Sequence, residues 1–128
     1  MKHFKWSEIP EERINDKFVR KLIWDGGLMM AWMECLKGCI VPPHSHDNEQ
    51  LTFVVSGSWR FTIDGKTVVV GPGELVYIPP GVVHAAEAME DLVAYDTFSP
   101  PREDWIKGED AYLRNVTYTQ ESDKISGD

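Results

Sequence analysis

Short runs in which apolar or β-branched side chains alternate with polar ones recur along this chain, and turn-forming residues separate them. The alternation predicts strands over residues 18–24, 28–36, 51–55, 58–63, 67–70, 75–78, 82–88 and 92–98. Between them stand Asp25-Gly26-Gly27, Lys37-Gly38, Ser56-Gly57, Asp64-Gly65-Lys66, Gly71-Pro72-Gly73, Pro79-Pro80-Gly81 and Glu90-Asp91, all of them turn signals. Asp64-Gly65 predicts a two-residue hairpin, because a type I′ turn needs positive φ at both central positions. Many short strands at this spacing describe an all-β sandwich, jelly roll or barrel.

Period-two alternation puts Met30, Trp32 and Glu34 on one face of their strand and Met29, Ala31 and Met33 on the other. Both faces are apolar, so both are expected to be covered, one of them by a second copy of the chain. Trp59 and Phe61 are expected in the core or at an interface. Helical signals are few. Residues 7–13 could form one turn, and Ser99 followed by Pro100, Glu103 and Asp104 predicts an N-capped short helix. The organisation read from this pattern is a single domain. It has an N-terminal segment (1–27) whose strand is expected to pair in a dimer, a barrel core (28–98), and a C-terminal turn or short helix with a polar tail (99–128) frayed from residue 120 onward.

At 128 residues the chain can bury a core without disulfides or structural zinc. Its formal charge of −8 argues against nucleic acid, for no basic stripe exists to neutralise phosphates. The same charge repels anions at long range, so an acidic substrate needs a locally positive site. No apolar run suits a signal peptide or approaches the roughly eighteen residues of a membrane helix, which makes a cytoplasmic location the expectation. Cys35 and Cys39 would stand ~13 Å apart on one extended strand, beyond disulfide reach, and are expected as reduced thiols.

The chemistry concentrates in four residues. On a strand His44 and His46 point to one side, and His84 follows a Pro79-Pro80-Gly81 turn later in the chain. Imidazole is the commonest side-chain ligand of transition metals, and three of them with the amide oxygen of Gln50 suit one divalent Ni, Fe, Mn or Zn ion. Glu49 is a minor alternative ligand, since alternation turns it away from the histidines. His3 has no partner nearby in sequence and is expected in solvent.

These residues resemble the two motifs of the cupin superfamily, whose fold is a double-stranded β-helix or jelly roll. Gly38, His44, His46, Gln50 and Gly57 follow the spacing of the first motif, and Gly73, Pro79, Gly81 and His84 that of the second. Gln50 replaces the usual Glu and Ala88 the usual Asn. A site without a protein anion leaves its ion more electrophilic and more open to an anionic substrate. A narrower resemblance lies at the end of the barrel. Gln50 together with Asp96, Phe98 and Arg102 is similar to the pectin-degradation cupins of the KdgF type, which convert unsaturated uronates into linear keto-uronates. That resemblance implies a metal held by His44, His46, Gln50 and His84, and a catalytic pocket lined by Asp96, Phe98 and Arg102.

Arg102 then offers a planar fork to a substrate carboxylate, Asp96 serves as acid and base, and Phe98 packs on a sugar ring. Asp96 and Arg102 forming a structural ion pair is the plain alternative. Two other functions fit the same ligands: an Fe(II)-dependent dioxygenase, and a non-catalytic module that senses or stores a small molecule.

Overall fold

A computed structural model describes residues 1–118 of the chain; the tail expected at 120–128 lies outside them. Among these residues the chain forms a jelly roll of two antiparallel sheets. The strands are β1 (Glu12–Asn15), β2 (Phe18–Asp25), β3 (Leu28–Cys35), β4 (Ile40–His44), β5 (Glu49–Ser56), β6 (Trp59–Ile63), β7 (Lys66–Val70), β8 (Leu75–Ile78), β9 (His84–Ala88) and β10 (Leu92–Ser99). Six make one sheet in the order β1-β2-β3-β10-β5-β8, and four make the other in the order β4-β9-β6-β7. No helix here is long and apolar enough to cross a membrane.

The alternation read from the chain matches the burial. Along β3, Met29, Ala31, Met33 and Cys35 face inward, while Met30, Trp32 and Glu34 face outward. Full burial of a side chain the size of Met29 or Met33 contributes about 1.5–3 kcal/mol. Ala94 is paired with Met33 on one side and Val54 on the other and is wholly enclosed, so a larger side chain there would collide with the packed interior. Asp64 and Gly65 take φ of 50° and 76°, as the hairpin requires. Trp59, Phe61, Met29 and Met33 are core, and His3 is exposed. Outside, Trp32 is partly covered by Trp6 and Tyr95, with ring centroids 5.9 and 5.3 Å away.

Four expectations need correction. The turn expected over 7–13 is a 3₁₀ turn at Trp6–Glu8, and Glu12 and Arg13 already belong to β1. Their pairing with Arg20 and Val19 across a tight turn outweighs the weak local signal for a helix. Ser99 does not cap a helix, because it completes β10 opposite Glu49. The helix α1 (Glu103–Ile106) starts after Arg102. Cys35 and Cys39 do not share a strand: β3 ends at Cys35 and the chain reverses through Gly38, whose φ is +87°. Both free thiols are buried, and burial pushes Cys35 up. Finally, β4 ends at His44, so His46 lies on the bend beyond it rather than two places along a strand.

A second short helix, α2 (Ala111–Arg114), brings the chain back over one end of the barrel. A buried ionic cluster ties it down. Arg20 Nη2 lies 2.6 Å from Asp110 Oδ2, and both side chains are completely enclosed. Asp110 also accepts from Arg114 Nε at 2.6 Å, and Glu12 bridges Arg20 and Arg114 at 3.2 Å each. Arg20 stacks under the Trp105 ring at 4.4 Å. This cluster is what holds the C-terminal segment across the barrel mouth.

Candidate metal centre and its pocket

The interior of the barrel is apolar at one end and polar at the other. Along β5 the inward positions run Val54, Thr52, Gln50, and along β10 they run Leu92, Ala94, Asp96, Phe98. Antiparallel register sets Asp96 against Thr52 and Phe98 against Gln50. In the other sheet β4 and β9 place His44 directly opposite His84. His46 reaches the same point from its bend, which the Gly81 N–H holds by donating to the His46 carbonyl at 2.8 Å.

The three histidines present ring nitrogens that all lie within 4.8 Å of one another. Each Nδ1 faces a backbone carbonyl: Pro42 at 2.8 Å from His44, Asn48 at 3.1 Å from His46, Val82 at 2.9 Å from His84. An Nδ1–H donating to these carbonyls leaves Nε2 as a bare acceptor, the usual way a metal-ligating imidazole is oriented. The rings are also kept neutral. Burial, with His84 pushing the same way, holds His44 down at about 3, and burial followed by Arg102 holds His46 at about 4. Burial lowers His84 too.

Gln50 closes the set. Its Nε2 donates to Thr52 Oγ1 at 3.0 Å, so its Oε1 faces His46 Nε2 at 3.1 Å. A neutral His46 carries one ring proton, yet both its nitrogens sit beside acceptor oxygens. One of those contacts is therefore lone pair against lone pair; with the proton on Nδ1, as in the other two rings' pattern, it is the Nε2 contact, and a cation held by Nε2 and Oε1 would relieve it. His84 Nε2 is likewise buried without a hydrogen-bond partner. Neutral nitrogens, an amide oxygen and orphaned acceptors fit a divalent transition ion. Glu49 faces the outside of the sheet and accepts from Tyr77 Oη at 2.7 Å, away from this centre.

Asp96, Phe98 and Arg102 line the same cavity as His44, Gln50 and His84. Asp96 accepts from Thr52 Oγ1 at 2.5 Å, and burial pushes its carboxyl up to about 6 against that hydrogen bond. Arg102 does not pair with Asp96. Its Nε and Nη2 donate to the two carboxylate oxygens of Asp104 at 2.9 and 2.8 Å, and Nη2 also reaches Tyr112 Oη at 2.8 Å. Its Nη1 is buried with no partner. The guanidinium lies 5.1 Å from the Phe98 ring and 4.6 Å from that of Trp105.

Two residues escaped the sequence reading: Thr52, which is enclosed behind the pocket and bonded to Gln50 and Asp96, and Tyr112, which lines it. Thr52 was within its reach, two positions beyond Gln50 and so on the same face. Tyr112 was not, because it sits in a polar stretch whose return to the barrel no local pattern signals. Its ring packs 4.7 Å from His44, and its hydroxyl accepts from Arg102 and from Trp105 Nε1 at 3.1 Å. Burial raises its phenol, which stays protonated. With Tyr112 in place the cavity measures about 30 Å³, room for one or two waters.

Jelly roll and histidine cluster together define an all-β protein with a site that could hold a metal in the mouth of its barrel. The cupin domain family matches residues 31–98, and the chain belongs to that family. It is similar to the pectin degradation protein KdgF of Dickeya dadantii (strain 3937), 33% identical over 108 residues, covering 82% of this chain and 98% of that protein. Among solved structures it is similar to KdgF from Halomonas sp. (TM-score 0.76, 27% identity, 82% of this chain and 98% of that one). An RmlC-like cupin from Shewanella frigidimarina NCIMB 400 is also similar (TM-score 0.76, 30% identity, 82% and 96% covered).

Proposed function

We propose that this cupin is a metal-dependent enzyme that opens the ring of small unsaturated uronates and tautomerises them to linear keto-uronates. The observation that carries the metal is the convergence of three histidine ring nitrogens within 4.8 Å of one another, with Gln50 Oε1 3.1 Å from His46 Nε2 and an orphaned His84 Nε2 beside them. The substrate class is supported by the likeness to pectin-degradation proteins and by the charge arrangement: in a chain of −8, the pocket's own charged donor is Arg102.

When bound, a divalent ion on His44, His46, Gln50 and His84 would supply Lewis-acid polarisation of substrate oxygens. Arg102 orients the substrate carboxylate through Nη1, the edge of its fork that Asp104 leaves open. Phe98 covers one face of the ring. Opening breaks the hemiacetal C–O bond as the anomeric hydroxyl loses its proton and becomes an aldehyde, and the ring oxygen leaves as an enolate that becomes a ketone when the neighbouring carbon takes a proton. Asp96, with a carboxyl near 6, can accept the first proton and deliver the second, so no proton is gained or lost overall.

A uronate exceeds the cavity as it stands, so Tyr112 must swing away from His44 to admit it. A second reading is a dioxygenase using Fe(II) on the same ligands, for three converging histidines suit Fe(II) as well; its organic substrate would need the same movement. We further propose a homodimer across the outer face of the six-stranded sheet, where Met30, Leu51 and Tyr77 are each at least 40% exposed.

The test is ultraviolet loss of the conjugated double bond of lyase-generated unsaturated monouronates, with and without chelator. Chelator-sensitive decay that disappears in Asp96→Asn while metal content persists supports the proposal. A metal-loaded protein that leaves these sugars intact but consumes oxygen with enols or phenols replaces it with the second reading. Light scattering of the eluting protein reports the dimer.

A further inference from the structure

We infer that Thr52 is a positioning residue for the metal centre: by donating its one hydroxyl proton to Asp96 it compels the Gln50 amide to present oxygen, not nitrogen, to the three histidines. This rests on the metal reading above but on none of the uronate chemistry.

The two ends of a glutamine amide are almost the same size, and only the oxygen can ligate a cation. Gln50 by itself has no preference between them. A hydroxyl has a single proton and two lone pairs. Thr52 Oγ1 gives its proton to Asp96 Oδ1 at 2.5 Å, which leaves only acceptor capacity toward Gln50, and Gln50 Nε2 fills it at 3.0 Å. Donors therefore run one way, from Gln50 through Thr52 to Asp96, and Oε1 is left facing His46.

The register of the sheet builds this relay. Gln50 and Thr52 occupy alternate inward positions on β5, and Asp96 is the cross-strand partner of Thr52 on β10. Thr52 has no exposed surface and Gln50 and Asp96 are buried, so solvent cannot replace a missing hydroxyl. A glutamate at position 50 would need no such device, because both of its ends are oxygen. Gln in place of Glu and a hydroxyl at position 52 thus belong together.

The experiment measures cobalt(II) affinity by competition with a chromophoric chelator for the whole protein, Thr52→Val and Thr52→Ser, each with Gln50 and with Gln50→Glu. With Gln50 present, Thr52→Val weakens cobalt binding by about tenfold or more, the usual effect of removing a group that orients a ligand, and Thr52→Ser restores it. With Gln50→Glu, Thr52→Val leaves affinity unchanged. Equal losses in both backgrounds would mean that Thr52 only fills space, and no loss in either would mean that Gln50 orients without it; both overturn the inference. If the unaltered protein takes up no cobalt, the metal reading falls first, a result distinct from either.

Discussion

The Tyr112 ring lies 4.7 Å from that of His44 and 31° from parallel to it, although one ends β4 and the other belongs to the C-terminal helix α2. An imidazole of the candidate metal centre is thus covered by a residue outside the span that the family matches, residues 31–98. Access to the centre becomes a property of the C-terminal segment, while the ligands belong to the barrel.

Tyr112→Ala should therefore open the pocket without removing a ligand. The phenol gives up hydrogen bonds to Arg102 and Trp105, worth about 1 kcal/mol each, so closure weakens roughly thirtyfold. Stripping of bound cobalt by a chelator, followed by stopped flow, should speed up by that order with stoichiometry unchanged. Identical stripping rates would show that the segment does not gate the site.

Asp110→Ala should be among the most damaging single changes. It leaves Arg20, wholly enclosed, without its nearest carboxylate and also releases Arg114. Breaking such a buried pair costs about 3–5 kcal/mol. Urea unfolding measures it, and a loss below 1 kcal/mol would mean that Glu12 alone can neutralise Arg20.

Gly57→Ala should also destabilise strongly. Gly57 has φ of +75°, and a Cβ there would stand 2.7 Å from Leu92 Cβ and against the Asp91 carbonyl. Backbone cannot yield as a flexible side chain can, so the cost is at least about 2 kcal/mol. An unchanged melting temperature is the contrary result.

The metal-free protein should lose stability as pH falls from about 7 toward 5. Lowered pKa values at His44, His46 and His84 mean that the unfolded chain binds more protons than the folded one below about 6.5, so acid favours unfolding. Asp96, raised to about 6, acts oppositely, because its stabilising proton is lost as pH rises through that value. Three histidines outweigh one carboxyl, leaving on the order of 2 kcal/mol lost after screening by solvent at the half-buried rings. Urea titrations at the two pH values test the sign, and greater stability at pH 5 would contradict it.

Much of this molecule was legible along the chain. Strand alternation and the Asp64-Gly65 hairpin are local signals, and each appears where the pattern put it; the three histidines also converge, although His46 does so from a bend rather than from a strand. Gln50 rather than Glu49 beside His46 also follows from alternation, since β5 has begun at Glu49 and turns its side chain outward. Arg102 was legible only as a charge near the site. That Asp104 takes two of its donors depends on where the chain goes after β10, and no periodicity specifies that path.

By itself the sequence determined which strand side chains face the barrel interior, His44, Gln50 and His84 among them, because a period of two is a property of any strand. Tertiary structure decided everything that needs two distant segments at once. It set His46 into line from a bend rather than a strand, and brought the thiols of Cys35 and Cys39 together through a turn. Through Arg20 and Asp110 it drew Tyr112 over the candidate metal centre. Local propensity is read from a few neighbouring residues, whereas these placements follow from sheet register and from the partners a buried charge must find, and both exist only once the chain has folded.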